Sequence, residues 1–285
     1  MNGILLVDKP EGWTSHDVVA KLRGILKERR IGHSGTLDPM ATGLLVIFVG
    51  RATRAVEYAE ADKKCYIAGL ELGMVTDTLD TTGNIISEMP CDISIQDIEK
   101  VLHDFRGEIE QIPPMYSAIK IDGQKLYQLA RKGKEVERKA RPVTIYDLDV
   151  FSGEQGIMMN VCCSKGTYIR SLCHDIGSSA GCGGCMSYLR RTKAGIFSVE
   201  DALSLDSIAA SNDHASLLIP VDRLFSDRQS AVVTPAQEKK CRNGTDFEID
   251  LSDGEYRVYS ESGEFLMLAS ASGKRMKTIK SFFEV

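Results

Sequence analysis

Asp38 lies in the run Gly32-His33-Ser34-Gly35-Thr36-Leu37-Asp38-Pro39-Met40-Ala41-Thr42-Gly43, an acid in a loop punctuated by glycines. A carboxylate with an ordinary pKa of about 3.9 is ionised at neutral pH. It can attack an electrophilic carbon covalently, or take a proton as a general base. Pro39 fixes its own φ and biases Asp38 towards an extended conformation, while the small neighbours leave room for a substrate to come close. The commonest use of an Asp-Pro pair between glycines is a plain turn, so the loop acquires chemical meaning only from the rest of the chain.

Three further segments bear on it. Lys64-Cys65-Tyr66 leads through Leu72-Gly73 into Thr76-Asp77-Thr78-Leu79-Asp80. Pro113-Pro114-Met115-Tyr116-Ser117-Ala118-Ile119-Lys120 continues to Tyr127 and Arg131. Ser164-Lys165-Gly166-Thr167-Tyr168-Ile169-Arg170-Ser171 is followed by Tyr188-Leu189-Arg190-Arg191. Basic residues crowd the stretch from Lys120 to Arg141, where only Asp122, Glu135 and Glu137 oppose them, and a second group contains Lys165, Arg170, Arg190, Arg191 and Lys193. Such clusters can neutralise phosphates, although a lone charge run is most often a solvated face.

The elements that must hold these segments follow from the patterning. Gly3 to Val7 reads as a strand, and Thr14 or Ser15 caps a helix to about Glu28 with Val18, Val19, Leu22, Ile25 and Leu26 on one face. Leu44 to Val49 is short, β-branched and aromatic, a buried strand. Lys64 to Leu72 reads as another strand, and Ser94-Ile95-Gln96-Asp97 opens a helix to about Phe105. Pro113-Pro114 breaks the chain before the strand-like Tyr116 to Ile121; a short helix over 123–132 and a polar loop over 132–141 follow. Val143 to Val150 and Gly156 to Cys163 pair about Ser152-Gly153, and Gly166 and Thr167 precede a helix to about Ser178. Tyr188 to Leu189 and Gly195 to Val199 read as strands.

Helices and strands alternate without a regular βα repeat, which predicts an α+β domain with a mixed, mainly antiparallel sheet. Composition changes at Leu224-Phe225-Ser226-Asp227-Arg228. Turns at Asn243-Gly244, Asp253-Gly254, Ser262-Gly263 and Ser272-Gly273 then predict a small all-β domain. The expected boundaries are 1–225 and 226–285, with an insertion at about 120–141.

A chain of 285 residues can bury a substantial core in one or two domains. The net charge of −5 argues weakly against indiscriminate nucleic-acid binding, although total charge hides patches. No apolar run of about eighteen residues occurs, so no membrane span is expected. The first ten residues lack the basic lead and long apolar core of a secretory signal. A cytoplasmic protein is expected, with its eight cysteines reduced. Cys182-Gly183-Gly184-Cys185 has zinc-ligand spacing but no second matching pair, so structural thiols and no metal are expected, with at least one of Cys162 and Cys163 in the core. No glycine-rich loop ends in Gly-Lys-Ser/Thr, and no His-x-Glu accompanies Pro-Cys-x-x-Cys, which leaves nucleotide hydrolysis and zinc deamination without support.

Taken together, Gly-His-x-Gly-x-Leu-Asp-Pro-x-Ala-x-Gly, Lys-Gly-Thr-Tyr-Ile-Arg and the opening Lys9-Pro10-x-Gly12-x-Thr14-Ser15 resemble the bacterial tRNA pseudouridine-55 synthase family, in that family's order. The resemblance implies a pseudouridine-synthase catalytic domain followed by a small PUA-like RNA-binding domain. It implies isomerisation of one uridine in the T-arm of tRNA: the bond from C1′ to N1 breaks, the base turns, and C5 rejoins C1′. Nothing is lost or oxidised, so neither cofactor nor metal is demanded. The expected partner is tRNA, and the protein is expected to act as a monomer without an obligatory protein partner or a membrane.

By the same resemblance Asp38 is the catalytic group, as nucleophile or as base, and Arg170 pairs with it, with Asp80 on the arginine's other side. Tyr66 stacks on the target base, Tyr168 is a second active-site tyrosine, and Leu189 is an apolar pocket wall. His33 fills the stack that a flipped-out base vacates. Lys9 belongs to the substrate-side opening motif. The insertion containing Lys120 grips the RNA, and Lys165 is expected on a phosphate. In the C-terminal region Lys239, Lys240, Arg242, Lys274, Arg275, Lys277 and Lys280 are candidate backbone contacts. The competing readings are a non-catalytic RNA chaperone and a hydrolytic glycosidase, which would need a second catalytic carboxylate such as Asp77 or Asp80.

Overall fold

Gly3–Lys9 and Thr42–Val49 are apolar almost throughout and pair antiparallel, Gly3 opposite Val49 and Lys9 opposite Gly43. Buried on both faces, they anchor a nine-stranded sheet in a computed structural model that describes residues 1–60, 63–121 and 123–283. Asp122, counted above against the basic insertion, lies outside the described residues. The sheet runs in the order Gly3–Lys9, Thr42–Val49, Gly184–Ala194, Lys64–Leu72, Gly156–Cys163, Arg141–Gly153, Gly107–Gln111. Ile31–Ser34 adds to Thr42–Val49, and Phe197–Ser198 to Gly184–Ala194. Every described pairing in this sheet is antiparallel except that of Thr42–Val49 with Gly184–Ala194, where Arg190 faces Thr42 and Arg191 faces Gly43. The α+β class and the mixed, mainly antiparallel sheet are therefore as expected.

Local chemistry explains the helices beside it. Thr14 caps Ser15–Leu26 in a reciprocal capping box with Asp17. That helix stops at Lys27, which takes a left-handed φ of 51°. Its apolar face packs on Leu5, Val7, Leu45 and Ile47. Ile169–Ser179 lays Leu172, Cys173 and Ile176 on the opposite part of the sheet, over Ala68, Val161 and Met186.

Three elements differ from expectation. Tyr188–Leu189 is the middle of an eleven-residue strand, Gly184–Ala194, whose two central arginines hide a buried strand from any hydropathy reading. The strand expected over Tyr116 to Ile121 is only Lys120–Ile121, hairpinned onto Gln124–Lys125; Tyr116, Ser117 and Ala118 before it line the cavity described below instead. The cysteines are not all reduced: Cys65 and Cys162 form a disulfide. They sit directly opposite one another on neighbouring strands, with Cα atoms 4.1 Å apart. The strand alternation then turns Cys163 inward, where it is the core thiol.

The C-terminal region forms a five-stranded sheet in the order Gln229–Val232, Gly254–Tyr259, Phe265–Ser272, Arg275–Ser281, Phe247–Glu248. One helix, Pro235–Arg242, interrupts it, opened by a Thr234/Gln237 capping box with proline in the first turn. This sheet has its own core around Val258, Leu266 and Met276. It also shares one with the larger sheet: Phe225, Phe265 and Phe282 pack together and against Ile4, Leu6 and Val46. Among the described residues no helix is long and apolar enough to cross a membrane.

Candidate active site

Asp38 sits in the connection between Ile31–Ser34 and Thr42–Val49, and that connection is tied down along its length. The buried Ser15 hydroxyl accepts from the Leu37 amide at 2.9 Å and donates to the Leu37 carbonyl at 3.2 Å. Ala41 N–H closes a turn onto the Asp38 carbonyl at 3.0 Å, and Gly12 N–H reaches the Pro39 carbonyl at 2.8 Å. The carboxylate itself projects from this frame and stays 37% exposed.

Arg170 meets it from the first turn of Ile169–Ser179. A cation there opposes the helix dipole, so burial of its side chain to 6% exposure requires compensation. Asp38 lies 2.9 Å from its Nε and Asp80 lies 3.8 Å away. Its remaining nitrogens donate to the carbonyls of Thr78 at 2.9 Å and Tyr116 at 2.8 Å. Asp80 is itself buried and accepts from the hydroxyls of Thr78 and Thr82 and from the Thr82 amide. The arrangement is a buried guanidinium with one fixed carboxylate behind it and one accessible carboxylate in front.

The accessible carboxylate opens into a cavity of about 780 Å³, large enough for a nucleotide. Tyr66, Tyr168, Leu189 and Met40 supply apolar wall; Lys64 and Arg191 add two cations. Burial pushes the Tyr66 phenol above the usual range, with the Arg191 guanidinium pulling the other way. Burial likewise raises Tyr168, so both rings are neutral at physiological pH. Among the described residues no group of three His, Cys, Asp or Glu side chains could hold a metal ion.

The structure thus brings Asp38, Tyr66, Asp80, Tyr168, Arg170 and Leu189 to one cavity. It does not bring the others there. Lys9, expected at the substrate, is fully buried behind the loop and spends its ammonium on the carbonyls of Pro10, Trp13 and Pro39 at 2.9, 2.6 and 3.2 Å. Burial lowers its pKa to about 8, against the pull of Asp38. Lys120 is exposed on its hairpin, and Lys165 is exposed on the rim between the wall residues Ser164 and Gly166. In the sequence Lys64 appeared only as the start of the Tyr66 segment, and Arg191 only at the end of the Leu189 segment and in a basic group; neither was given a role. No hydropathy signal marks them, because a charged residue in a central strand looks like an exposed one.

His33 packs edge-on against His16, 5.7 Å between ring centres, outside the cavity wall. Burial, aided by His16 and Arg191, lowers its pKa from 6.5 to about 4. Between these values the unfolded chain binds a proton that the folded chain refuses, so stability is lost as the pH falls through that window. Urea denaturation at neutral pH and near pH 5 is expected to show wild type losing more stability than His33→Gln. Equal losses would mean that His33 is not the group responsible.

Comparison with known proteins points to one family. Residues 23–169 match the TruB family pseudouridylate synthase N-terminal domain, and residues 170–226 match the tRNA pseudouridylate synthase B C-terminal domain. A protein of Clostridium kluyveri named tRNA pseudouridine synthase B is 43% identical over 99% of this chain and 100% of its own length. One of the same name from Heliobacterium modesticaldum is 47% identical over 79% of this chain and 75% of its own. Among solved structures, a chain of a Cbf5-Nop10-Gar1 complex superposes with a TM-score of 0.74 and 26% identity, covering 99% of this chain and 85% of that one.

Proposed function

The chain belongs to the TruB family of pseudouridylate synthases, and from that premise we propose that it converts uridine 55 in the T-arm of tRNA to pseudouridine with Asp38 as its catalytic group. One observation carries the assignment: a partly exposed carboxylate, 2.9 Å from a buried arginine, faces a neutral tyrosine across a nucleotide-sized cavity. The reaction must cleave a glycosidic bond, retain the base while it turns, and return it through carbon. In this reading Asp38 attacks C1′ or takes a sugar proton. Its ion pair with Arg170 keeps it aimed. Tyr66 and Leu189 give the freed base two apolar faces to lie between, and Tyr168 adds a neutral hydroxyl to the same wall. A base inside a folded loop reaches such a cavity only by flipping out, at a cost of a few kcal/mol.

The test is pseudouridine mapping on unmodified tRNA transcript by carbodiimide labelling and primer extension. A stop at the T-loop uridine is expected. Release of free uracil, or binding without any stop, would overturn the assignment in favour of the hydrolase or the chaperone.

We take residues 226–285 as the second RNA-binding unit. Four of the seven basic residues named there are engaged in ion pairs: Lys280 with Glu57, Arg242 with Glu238 and Glu264, Lys274 with Asp250, and Arg275 with Asp246. Lys239, Lys240 and Lys277 are exposed and form no ion pair among the described residues. Changing any one of these three to alanine is expected to weaken tRNA binding irrespective of sequence and to reduce the slope of log K on log salt by about 1. Titrations at several salt concentrations measure this; an unchanged slope would remove that lysine from the interface.

A further inference from the structure

We propose that Arg191 is a positioning residue for the reaction assigned above, clamping both ends of the Asp38 loop to its own strand, Gly184–Ala194, which pairs with the strand that carries Tyr66. The proposal rests on that assignment and goes beyond it.

Arg191 is 1% exposed, yet its side chain reaches the cavity wall. Its neighbour Arg190 is half-buried and takes a two-pronged ion pair with Asp8, at 3.0 and 2.7 Å. Arg191 has no carboxylate partner among the described residues. Its Nε donates to the Leu44 carbonyl at 2.7 Å, and an Nη to the Gly35 carbonyl at 3.0 Å. Those carbonyls lie on either side of Asp38 in the chain, one where the loop leaves the sheet and the other where it returns. Burying a guanidinium without a counter-charge is costly. The planar fork fixes the two carbonyls at one spacing and in one plane, a rigidity that a lysine ammonium on its flexible stem does not supply.

The same side chain is tied to Tyr66. The two residues face each other directly across neighbouring antiparallel strands, so both side chains leave the same face of the sheet. Arg191 therefore links the loop that bears the carboxylate to the ring proposed to hold the base. On the third side Arg191 pairs in parallel with Gly43.

The glycine spacing of the loop fits round this residue. Gly35 has a φ of +72°, and a Cβ there would lie 3.3 Å from an Arg191 Nη and 3.3 Å from Lys64 Cε. Gly43 has a φ of +96°, and a Cβ there would fall 2.3 Å from the Arg191 carbonyl oxygen. The two glycines bracket Asp38 in the sequence and form the socket of one arginine in space.

Arg191→Met and Arg191→Lys are to be assayed beside wild type for single-turnover pseudouridine formation, tRNA affinity and thermal unfolding. A carboxylate displaced by about an ångström loses roughly 100-fold in rate, so that loss is expected in both variants. Affinity is expected to stay within about threefold of wild type. Gly35→Ala strains the same clamp from the loop side, so its rate loss and that of Arg191→Lys are expected to combine to less than their product. Undiminished turnover in Arg191→Met, a loss matched by lost affinity or lost folded fraction, or fully multiplicative losses in the double variant would each overturn the proposal. If wild type itself forms no pseudouridine, the reaction assignment falls and this role with it; wild-type turnover with an active Arg191→Met sinks this role alone.

Discussion

Asp38→Asn is expected to lower pseudouridine formation by at least about ten-thousand-fold, the scale of losing a group that acts covalently or as the essential base. The substitution keeps shape and removes charge. Asparagine can still accept from Arg170, and the loop remains held by Ser15, Gly12 and Lys9, none of which touches the carboxylate. The fold and the affinity for tRNA are therefore expected to survive, which separates chemistry from binding. The cleanest measurement is loss of tritium from C5 of labelled uridine in a tRNA transcript, because the C5–H bond must break once C5 has joined C1′. Turnover within about 100-fold of wild type would assign the chemistry to another group.

Arg170→Met is expected to damage both activity and folding. The side chain binds Asp38, faces Asp80, and satisfies the Thr78 and Tyr116 carbonyls. Its loss frees the catalytic carboxylate to swing and removes the positive charge behind it, for an expected rate loss of about 1000-fold. It also leaves Asp80, whose side chain is only 7% exposed, without its cation. Breaking a buried pair from one side costs about 3–5 kcal/mol. Neutralising the orphan should return much of that stability, so the double variant Arg170→Met with Asp80→Asn is expected to be more stable than Arg170→Met alone, with no recovery of turnover. Urea denaturation beside single-turnover assays measures both. A double variant no more stable than the single one would show that losing the arginine does not leave Asp80 as a destabilising orphan.

The site was legible in the sequence through several motifs read together as one family resemblance, not through any residue alone. An Asp-Pro between glycines is most often a turn, and locally Tyr66 reads as core and Arg170 as surface, yet the structure places Asp38, Tyr66 and Arg170 around one space. The illegible parts are of two kinds. Thr78 and Tyr116 act on Arg170 through backbone carbonyls, which every residue possesses. Lys9 and Arg191 are charged residues in the core, and local sequence makes them look solvated; only the three-dimensional closure of Gly3–Lys9, Thr42–Val49 and Gly184–Ala194 buries them. The disulfide escaped for a related reason, since register alone decides which cysteine faces which, and Cys65 meets Cys162 across 97 positions of chain.

The shared phenylalanine packing also has a mechanical meaning. In the proposed reading, flipping a still-attached base out of a folded loop works against the nucleic acid that carries it, and that work reaches the base only if the stem is held against an equal reaction. Phe265 of the smaller sheet and Phe282, just past its strand Arg275–Ser281, are packed on Phe225 and, through the same cluster, on Ile4 and Val46 of the larger one. If both sheets grip the RNA, as proposed, that force is carried by interlocked side chains rather than by a slack tether.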